Sequence, residues 1–233
     1  LQGTVTTGAL RHTVLAGVDW NRQRATALRF IGPAPDLDLQ QPVYGQPVAM
    51  PTVPLADYTQ TTTQVGLYLQ DQIRTAQRWA VTLGTRYDRV RQHTDNRLGS
   101  DAQSRDHAFS SRAGLSYLLD SGWTPYLSYA ESFLPNVGTD AEGRPFDPSR
   151  GRQYEAGVKY QPDNGRWLLT AAVFDLRKTH VVGYDPVSFD ARQIGAQRSR
   201  GLELEAKGDV APGWQLAASA AWLNTRTLRS ADP

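Results

Sequence analysis

Apolar and polar residues alternate along most of this 233-residue chain. A period of two predicts β-strands with one face buried in an apolar medium and the other in a polar one. After Trp79, the residues Val81, Leu83, Thr85 and Tyr87 fall on one side, and Thr82, Gly84, Arg86 and Asp88 on the other. Further on, Tyr154, Ala156, Val158 and Tyr160 oppose Gln153, Glu155, Gly157 and Lys159. Leu202, Leu204 and Ala206 oppose Gly201, Glu203, Glu205 and Lys207, and Trp214, Leu216, Ala218, Ala220 and Trp222 share one face. Turn residues cut this pattern into a partial strand over about 1–7 and strands over about 11–30, 60–75, 79–92, 109–119, 123–133, 153–161, 167–182, 192–210 and 214–227.

The connections alternate in length. Short ones fall at 8–9, 76–78, 120–122, 162–165 and 211–213, and long ones at 31–57, 93–106, 134–152 and 183–191. A soluble sandwich has no reason to gather every long loop at one end, whereas a membrane barrel has short turns on one side and long loops on the other. Strands of about 13 residues, at roughly 3.3 Å each and tilted by about 40°, span about 33 Å, enough to cross an outer membrane. The pattern therefore predicts an all-β fold: an antiparallel up-and-down transmembrane β-barrel, incomplete, with about ten strands in one meander and the long loops at one end.

That architecture assigns the faces. Arg86, Asp88, Arg112, Glu155, Lys159, Glu203 and Glu205 are expected to line an aqueous lumen. On the lipid side a charge costs up to about 2–4 kcal/mol at the midplane. Leu83, Val158, Leu204 and Leu216 are expected to face lipid. Trp20, Trp79, Trp123, Phe133, Trp167, Trp214 and Trp222 cluster at strand ends, as in the aromatic girdles of membrane barrels.

Composition agrees with this picture. The mean hydropathy of -0.50 fits a barrel, where only every second residue meets lipid. No run approaches the 18 apolar residues of a transmembrane helix. Cysteine is absent, which removes disulfides and thiolate metal sites. The 25 basic and 23 acidic residues are too balanced to suggest nucleic acid as a partner. No signal peptide is visible, and the chain begins and stops beside strands, as an excised segment would.

Six stretches then carry a family resemblance. They are Val14-Leu15-Ala16-Gly17-Val18-Asp19-Trp20, Val65-Gly66-Leu67-Tyr68-Leu69-Gln70-Asp71-Gln72 and Leu83-Gly84-Thr85-Arg86-Tyr87-Asp88. They continue with Pro125 to Phe133, Gly151 to Tyr160, and Arg198-Ser199-Arg200-Gly201-Leu202-Glu203-Leu204-Glu205-Ala206. In order and spacing the chain resembles the barrel of the TonB-dependent siderophore receptors, especially the ferrichrome-type branch, from about residue 11 to 222. The resemblance implies a 22-stranded barrel plugged by an N-terminal domain. It implies import of ferric siderophores across the outer membrane of a Gram-negative bacterium, energised by the TonB complex. On this reading residues 1–233 are a partial barrel domain without plug or C-terminal strands. TonB would engage the missing N-terminal region, and outer-membrane lipid would surround the wall.

Catalysis finds little support. There is no HExxH, GxSxG or phosphate-cradling loop. His12, His93, His107 and His180 are far apart in sequence, and no metal site is expected. No cofactor is expected either, because iron would enter only as a ferric siderophore whose chelator already fills its coordination sphere. Glu203 and Glu205 read as solvated lumen carboxylates in preference to an acid–base pair. For substrate contact the candidates are aromatics at the loop-bearing end: Tyr44, Tyr58, Phe133 and Tyr184. The family branch suggests a hydroxamate chelate. Two other classes remain: a passive diffusion porin, and a soluble β-rich binding module. The six motifs argue against the first, and the lack of a repeat of about 40–50 residues argues against the second.

Overall fold

The computed structural model describes residues 1–76, 78–140, 142–185, 191–193 and 195–229. Twelve strands run β1 (Gln2–Thr7), β2 (Leu10–Ile31), β3 (Val53–Thr75), β4 (Trp79–Asn96), β5 (Ala102–Tyr117), β6 (Trp123–Leu134), β7 (Ser149–Tyr160), β8 (Trp167–Thr179), β9 (Val182–Tyr184), β10 (Ala191–Gln193), β11 (Ala196–Ala211) and β12 (Trp214–Arg229). Ten of them form one sheet in the order β1-β2-β3-β4-β5-β6-β7-β8-β11-β12, and β9 and β10 make a small hairpin of their own. Every pairing is antiparallel. The sheet is an unclosed meander, as the alternation predicts.

The short turns have identifiable chemistry. Gly122 sits at φ 81°, and a Cβ there would lie 2.4 Å from the Gln161 carbonyl oxygen, so both backbone sign and space require glycine. In the turn after β7, the Gly165 amide bonds the Pro162 carbonyl at 2.8 Å, and the Asn164 side chain accepts from the Arg166 amide at 3.0 Å. This is the local Asn bonding that favours a turn over continued strand.

Several strands run beyond their predicted bounds. β3 begins at Val53, β4 continues to Asn96, and β5 starts at Ala102. The expected loop 31–57 shrinks to 32–52, and the expected loop 93–106 shrinks to 97–101. At about 3.3 Å per residue the 22 residues of β2 and the 23 of β3 exceed any bilayer core. Their upper halves stand clear of lipid. There polar residues such as Arg22, Arg24, Thr59 and Thr61 share the outer face with Leu28 and Leu55, so the hydrophobic period vanishes while the strand continues. The expected loop 134–152 becomes 135–148; the expected strand 167–182 ends at Thr179, the expected strand 192–210 starts as β11 only at Ala196, and β9 and β10 lie between them, with residues 186–190 outside the described set.

Candidate functional site: the lumen wall and the loop-bearing mouth

The cross-strand registers place every expected lumen residue on one face. Asp19, Gly66 and Asp88 are partners in a row across β2, β3 and β4. Asp88 pairs with Ala108 of β5, and Gly84 with Arg112. Ser128 of β6 pairs with Glu155 of β7, Glu155 with Phe174 of β8, and Phe174 with Gly201 of β11. Arg86, Arg112, Lys159, Glu203 and Glu205 share this parity. Leu83, Val158, Leu204 and Leu216 take the opposite parity.

The opposite face is banded. At the short-turn end Trp79 packs on Tyr117 with ring centroids 4.7 Å apart, and Trp123 on Tyr160 at 4.6 Å. Toward the loop-bearing end Tyr87 meets Phe109 at 4.8 Å, and Tyr129 meets Tyr154 at 5.0 Å. Leu83, Leu127 and Val173 lie between the two rows and are at least half exposed. An apolar belt between two aromatic rows is the exterior of a membrane barrel. Charges return on this face level with the upper row, where Asp175, the cross-strand partner of Tyr154, pairs with both Arg198 and Arg200. One pair lies lower, near the short turns: His12 Nδ1 and Asp71 Oδ2 are 2.7 Å apart. Asp71 therefore departs from the general expectation that strand charges face the lumen, and it does so with a partner beside it.

On the lumen face the expected residues form two groups. In the first, the Arg86 guanidinium donates Nη1 to Asp19 Oδ2 at 2.5 Å and Nη2 to Asp19 Oδ1 at 2.9 Å. It also donates Nε to Asp88 Oδ2 at 2.7 Å and Nη2 to Asp88 Oδ1 at 2.6 Å. Gln64 Nε2 adds a bond to Asp88 Oδ1 at 2.8 Å. Asp88 is buried, and these donors replace the water it has lost. Arg112 reaches over Gly84 to bond the Gln70 side-chain oxygen. In the second group, Tyr126 donates its hydroxyl to Glu155 Oε1 at 2.6 Å. Gln153 donates to Glu155 Oε2 at 2.9 Å, and Lys159 Nζ lies 5.3 Å over the Tyr126 ring. Glu203 and Glu205 join them around a concavity on β6, β7, β8, β11 and β12. The sequence pattern alone did not single out Asp19, Gln64, Gln70 or Tyr126. A signal existed in the glycines Gly66, Gly84 and Gly157, because a glycine in a strand interior marks close approach of a neighbouring group.

The four aromatic candidates do not converge. Tyr58 lies on the lumen face of β3, opposite Asn96, and Tyr44 is exposed in the 32–52 connection. Phe133 takes the parity of Trp123 and Leu127, so it lies on the outer face, opposite Arg150. Tyr184 falls in β9, paired with Ala191, and its side chain is outside the described set.

Comparison with known proteins decides the family. The family model "TonB dependent receptor-like, beta-barrel" matches residues 1–233. The chain belongs to this family. It is 36% identical over 231 residues to the ferrioxamine B receptor of Salmonella typhimurium, covering 99% of this chain and 33% of that protein. It is 39% identical over 220 residues to the ferrichrome outer membrane transporter/phage receptor of Escherichia coli K12, covering 89% of this chain and 29% of that protein. The chain thus spans about a third of the length of these relatives. The closed form of the ferric-catecholate import receptor Fiu of E. coli K12 superposes with a TM-score of 0.76 at 21% identity, over 99% of this chain and 37% of that one. That likeness concerns the fold. The family consists of outer-membrane transport receptors, so the apolar belt of this barrel wall is its lipid-facing surface.

Proposed function

We propose that this chain forms part of the wall of an outer-membrane receptor that imports a ferric siderophore of the hydroxamate type. The observation that carries the substrate class is the match across nearly the whole chain to receptors named for ferrioxamine B and ferrichrome, both of which are hydroxamate chelates. The lumen wall supports it. Several of its carboxylates are engaged by the protein's own donors, Asp19 and Asp88 by Arg86 and Glu155 by Tyr126 and Gln153, which suits passage of a bulky, already chelated iron better than capture of a bare ion. Iron is cargo in this reading. It arrives already chelated, and the chain supplies neither a cofactor nor a catalytic group; the protein is a transporter and not an enzyme. Transport would be energised by TonB through a plug domain elsewhere in the receptor, with Arg86, Asp88, Glu155 and Glu203 contacting that plug or lining the path past it. Tyr44, Tyr58, Phe133 and Tyr184 stay in the reading as the proposed aromatic contacts at the mouth, with Phe133 and Tyr58 approaching from opposite faces of the wall.

The experiment uses the full-length receptor in detergent, titrated with ferrichrome, ferrioxamine B, a ferric catecholate and vitamin B12 while tryptophan fluorescence is followed. Saturable quenching by a hydroxamate is expected. Saturation by the catecholate or by vitamin B12, with none by either hydroxamate, overturns the substrate class and leaves the fold untouched. Iron uptake from the hydroxamate should vanish in cells lacking TonB; undiminished uptake would overturn the energised mechanism.

A further inference from the structure

The connection after β6 does not rise away from the strand ends. It folds over the lumen face of strands two and three places away. Gln92 of β4 donates Nε2 to the Asn136 carbonyl at 2.9 Å. Gln60 of β3 accepts the Gly138 amide on Oε1 at 3.1 Å. Both glutamines lie on the lumen face near the loop-bearing ends of their strands, and both are buried, at 3% and 6% exposure for Gln60 and Gln92. Val90, Thr94, Ala102 and Ala108 share that face and are buried, as is Phe146 of the loop. An open single sheet has no reason to bury residues there unless something covers them.

The far side of the same loop is fixed as well. Asn136 Nδ2 donates to the carbonyls of Asp147 at 2.6 Å and His180 at 3.0 Å. Gln193 Nε2 donates to the same two carbonyls at 2.7 and 3.2 Å, and Ser149 Oγ donates to the His180 carbonyl at 2.9 Å. The loop is thereby tied to the ends of β7, β8 and β10.

The wall between these two anchorages is weak. β5 and β6 are partners only from Arg112↔Ala130 to Ser116↔Tyr126. Above that point β5 continues along β4 to Ala102, and β6 continues along β7 to Leu134, but the two are no longer partners. The Ser111 amide finds the Glu131 carboxylate at 3.1 Å in place of a backbone carbonyl. At the mouth, therefore, the β6–β8 side is held to the β3–β4 side largely through the loop and its two glutamines.

We propose that Gln60 and Gln92 are positioning residues that hold residues 135–140 of the connection after β6 as a shelf across the lumen mouth, and that this shelf limits how fast a ligand enters. The glutamines do this through opposite chemistry, one as acceptor and one as donor. Gln60→Glu keeps an acceptor for the Gly138 amide, whereas Gln60→Leu removes it. Gln92→Glu removes the donor to the Asn136 carbonyl and sets a carboxylate oxygen against it. The entry role rests on the siderophore reading above; the positioning role does not.

The test uses the full-length receptor with a nitroxide on Glu142→Cys, an exposed site in the loop; the chain itself contributes no other cysteine. An immobilised spectrum is expected with native glutamines and with Gln60→Glu. A mobile fraction at least twice as large is expected with Gln60→Leu and with Gln92→Glu. Association of ferrioxamine B, followed by stopped flow on the unlabelled proteins, should be at least threefold faster in the two releasing variants and unchanged in Gln60→Glu. Unchanged spectra in both releasing variants overturn the positioning role. Released loops with unchanged association overturn the entry role. If native receptor binds no ferrioxamine B while the spectra change as expected, the substrate reading fails and the positioning of the loop stands.

Discussion

Gly66→Ala tests the lumen-wall array most directly. In the native wall, the Arg86 guanidinium lies over Gly66 on its way to Asp19, because Asp19, Gly66 and Asp88 stand in one cross-strand row. A methyl group at residue 66 would sit 1.9 Å from Arg86 Nη2. That nitrogen is the end of a long, flexible side chain, so the guanidinium moves and the backbone does not. The Nε bond to Asp88 comes from the near side and can persist. The two bonds to Asp19 cannot, and the Nη2 bond to Asp88 Oδ1, an oxygen itself 2.9 Å from the methyl, is loosened while Gln64 still holds that oxygen. Arg86 and Asp19 are 31% and 45% exposed, so water screens their pairing, and its worth is about 1 kcal/mol, the upper end for partly exposed pairs with two-pronged geometry. Alanine also recovers roughly 0.5–1 kcal/mol by stiffening a glycine position. Gly66→Ala alone should therefore change stability little, and the informative quantity is the coupling. Urea unfolding of the full-length receptor in micelles, followed by tryptophan fluorescence, gives it from a double-mutant cycle with Asp19→Asn. The substitution should be about 1 kcal/mol more favourable in the Asp19→Asn background than in the native one. Arg86→Leu should be far worse, about 3 kcal/mol or more, because it leaves the buried Asp88 carboxylate with Gln64 alone. Zero coupling between Gly66→Ala and Asp19→Asn would refute the bridging role of Arg86.

Two further outcomes follow from the faces and the loop. Leu204→Arg, on the lipid-facing side, should cut the amount of receptor assembled in outer membranes by severalfold, while Glu203→Gln, one residue away on the lumen side, should leave assembly near native; equal effects would contradict the face assignment. In the loop, desolvation pushes the Asp140 carboxyl up, but bonds from the Arg144 amide and guanidinium outweigh it and hold the carboxyl below its usual range. A depressed carboxyl stabilises above its unfolded value and loses that contribution as pH falls through the folded one, so a nitroxide on Glu142→Cys should keep the same spectrum from pH 7 to about 4 and become mobile only at more acid pH, or at neutral pH in Asp140→Asn.

The membrane-spanning part of the wall was legible because lipid enforces the alternation. In β4 this places Trp79, Val81, Leu83 and Tyr87 on the outer face and Arg86 and Asp88 on the lumen face. Above the belt the constraint lapses. Thr59, Thr61 and Thr63 of β3 and Arg89, Arg91 and His93 of β4 occupy outer-face positions with no apolar signature, so the sequence pattern breaks before the strands do. Asp71 departs from the alternation for a related reason: a charge near the short-turn end of the outer face is tolerable when His12 sits beside it. Gln60 and Gln92 were invisible for a different reason. Glutamine on a lumen face is unremarkable in sequence, and what buries these two is a loop that follows β6, with contacts 78 positions along the chain from Gln60 and 44 from Gln92.

The family motifs themselves have a packing logic. In three of them a glycine serves as the floor on which a long side chain from a neighbouring strand lies. A Cβ at residue 17 would meet the Tyr68 hydroxyl at 2.3 Å, one at residue 66 would meet Arg86, and one at residue 157 would meet the Tyr126 ring at 2.7 Å. The third case differs in kind from the second. At residue 157 the methyl would also lie 2.7 Å from the Ala171 carbonyl oxygen, which belongs to the backbone of β8 and cannot swing aside. Overpacking that forces backbone to shift costs typically about 1–3 kcal/mol, and displacing Tyr126 would in addition loosen its 2.6 Å bond to Glu155. Gly157→Ala should therefore destabilise the full-length receptor by about 2 kcal/mol in the same urea assay, and clearly more than Gly66→Ala. A Tyr126→Ala background should recover only part of that loss, because the Ala171 oxygen remains. Full recovery would show that the ring alone sets the cost, and a ranking with Gly66→Ala as the more damaging substitution would mean that these glycines are not floors for side chains at all.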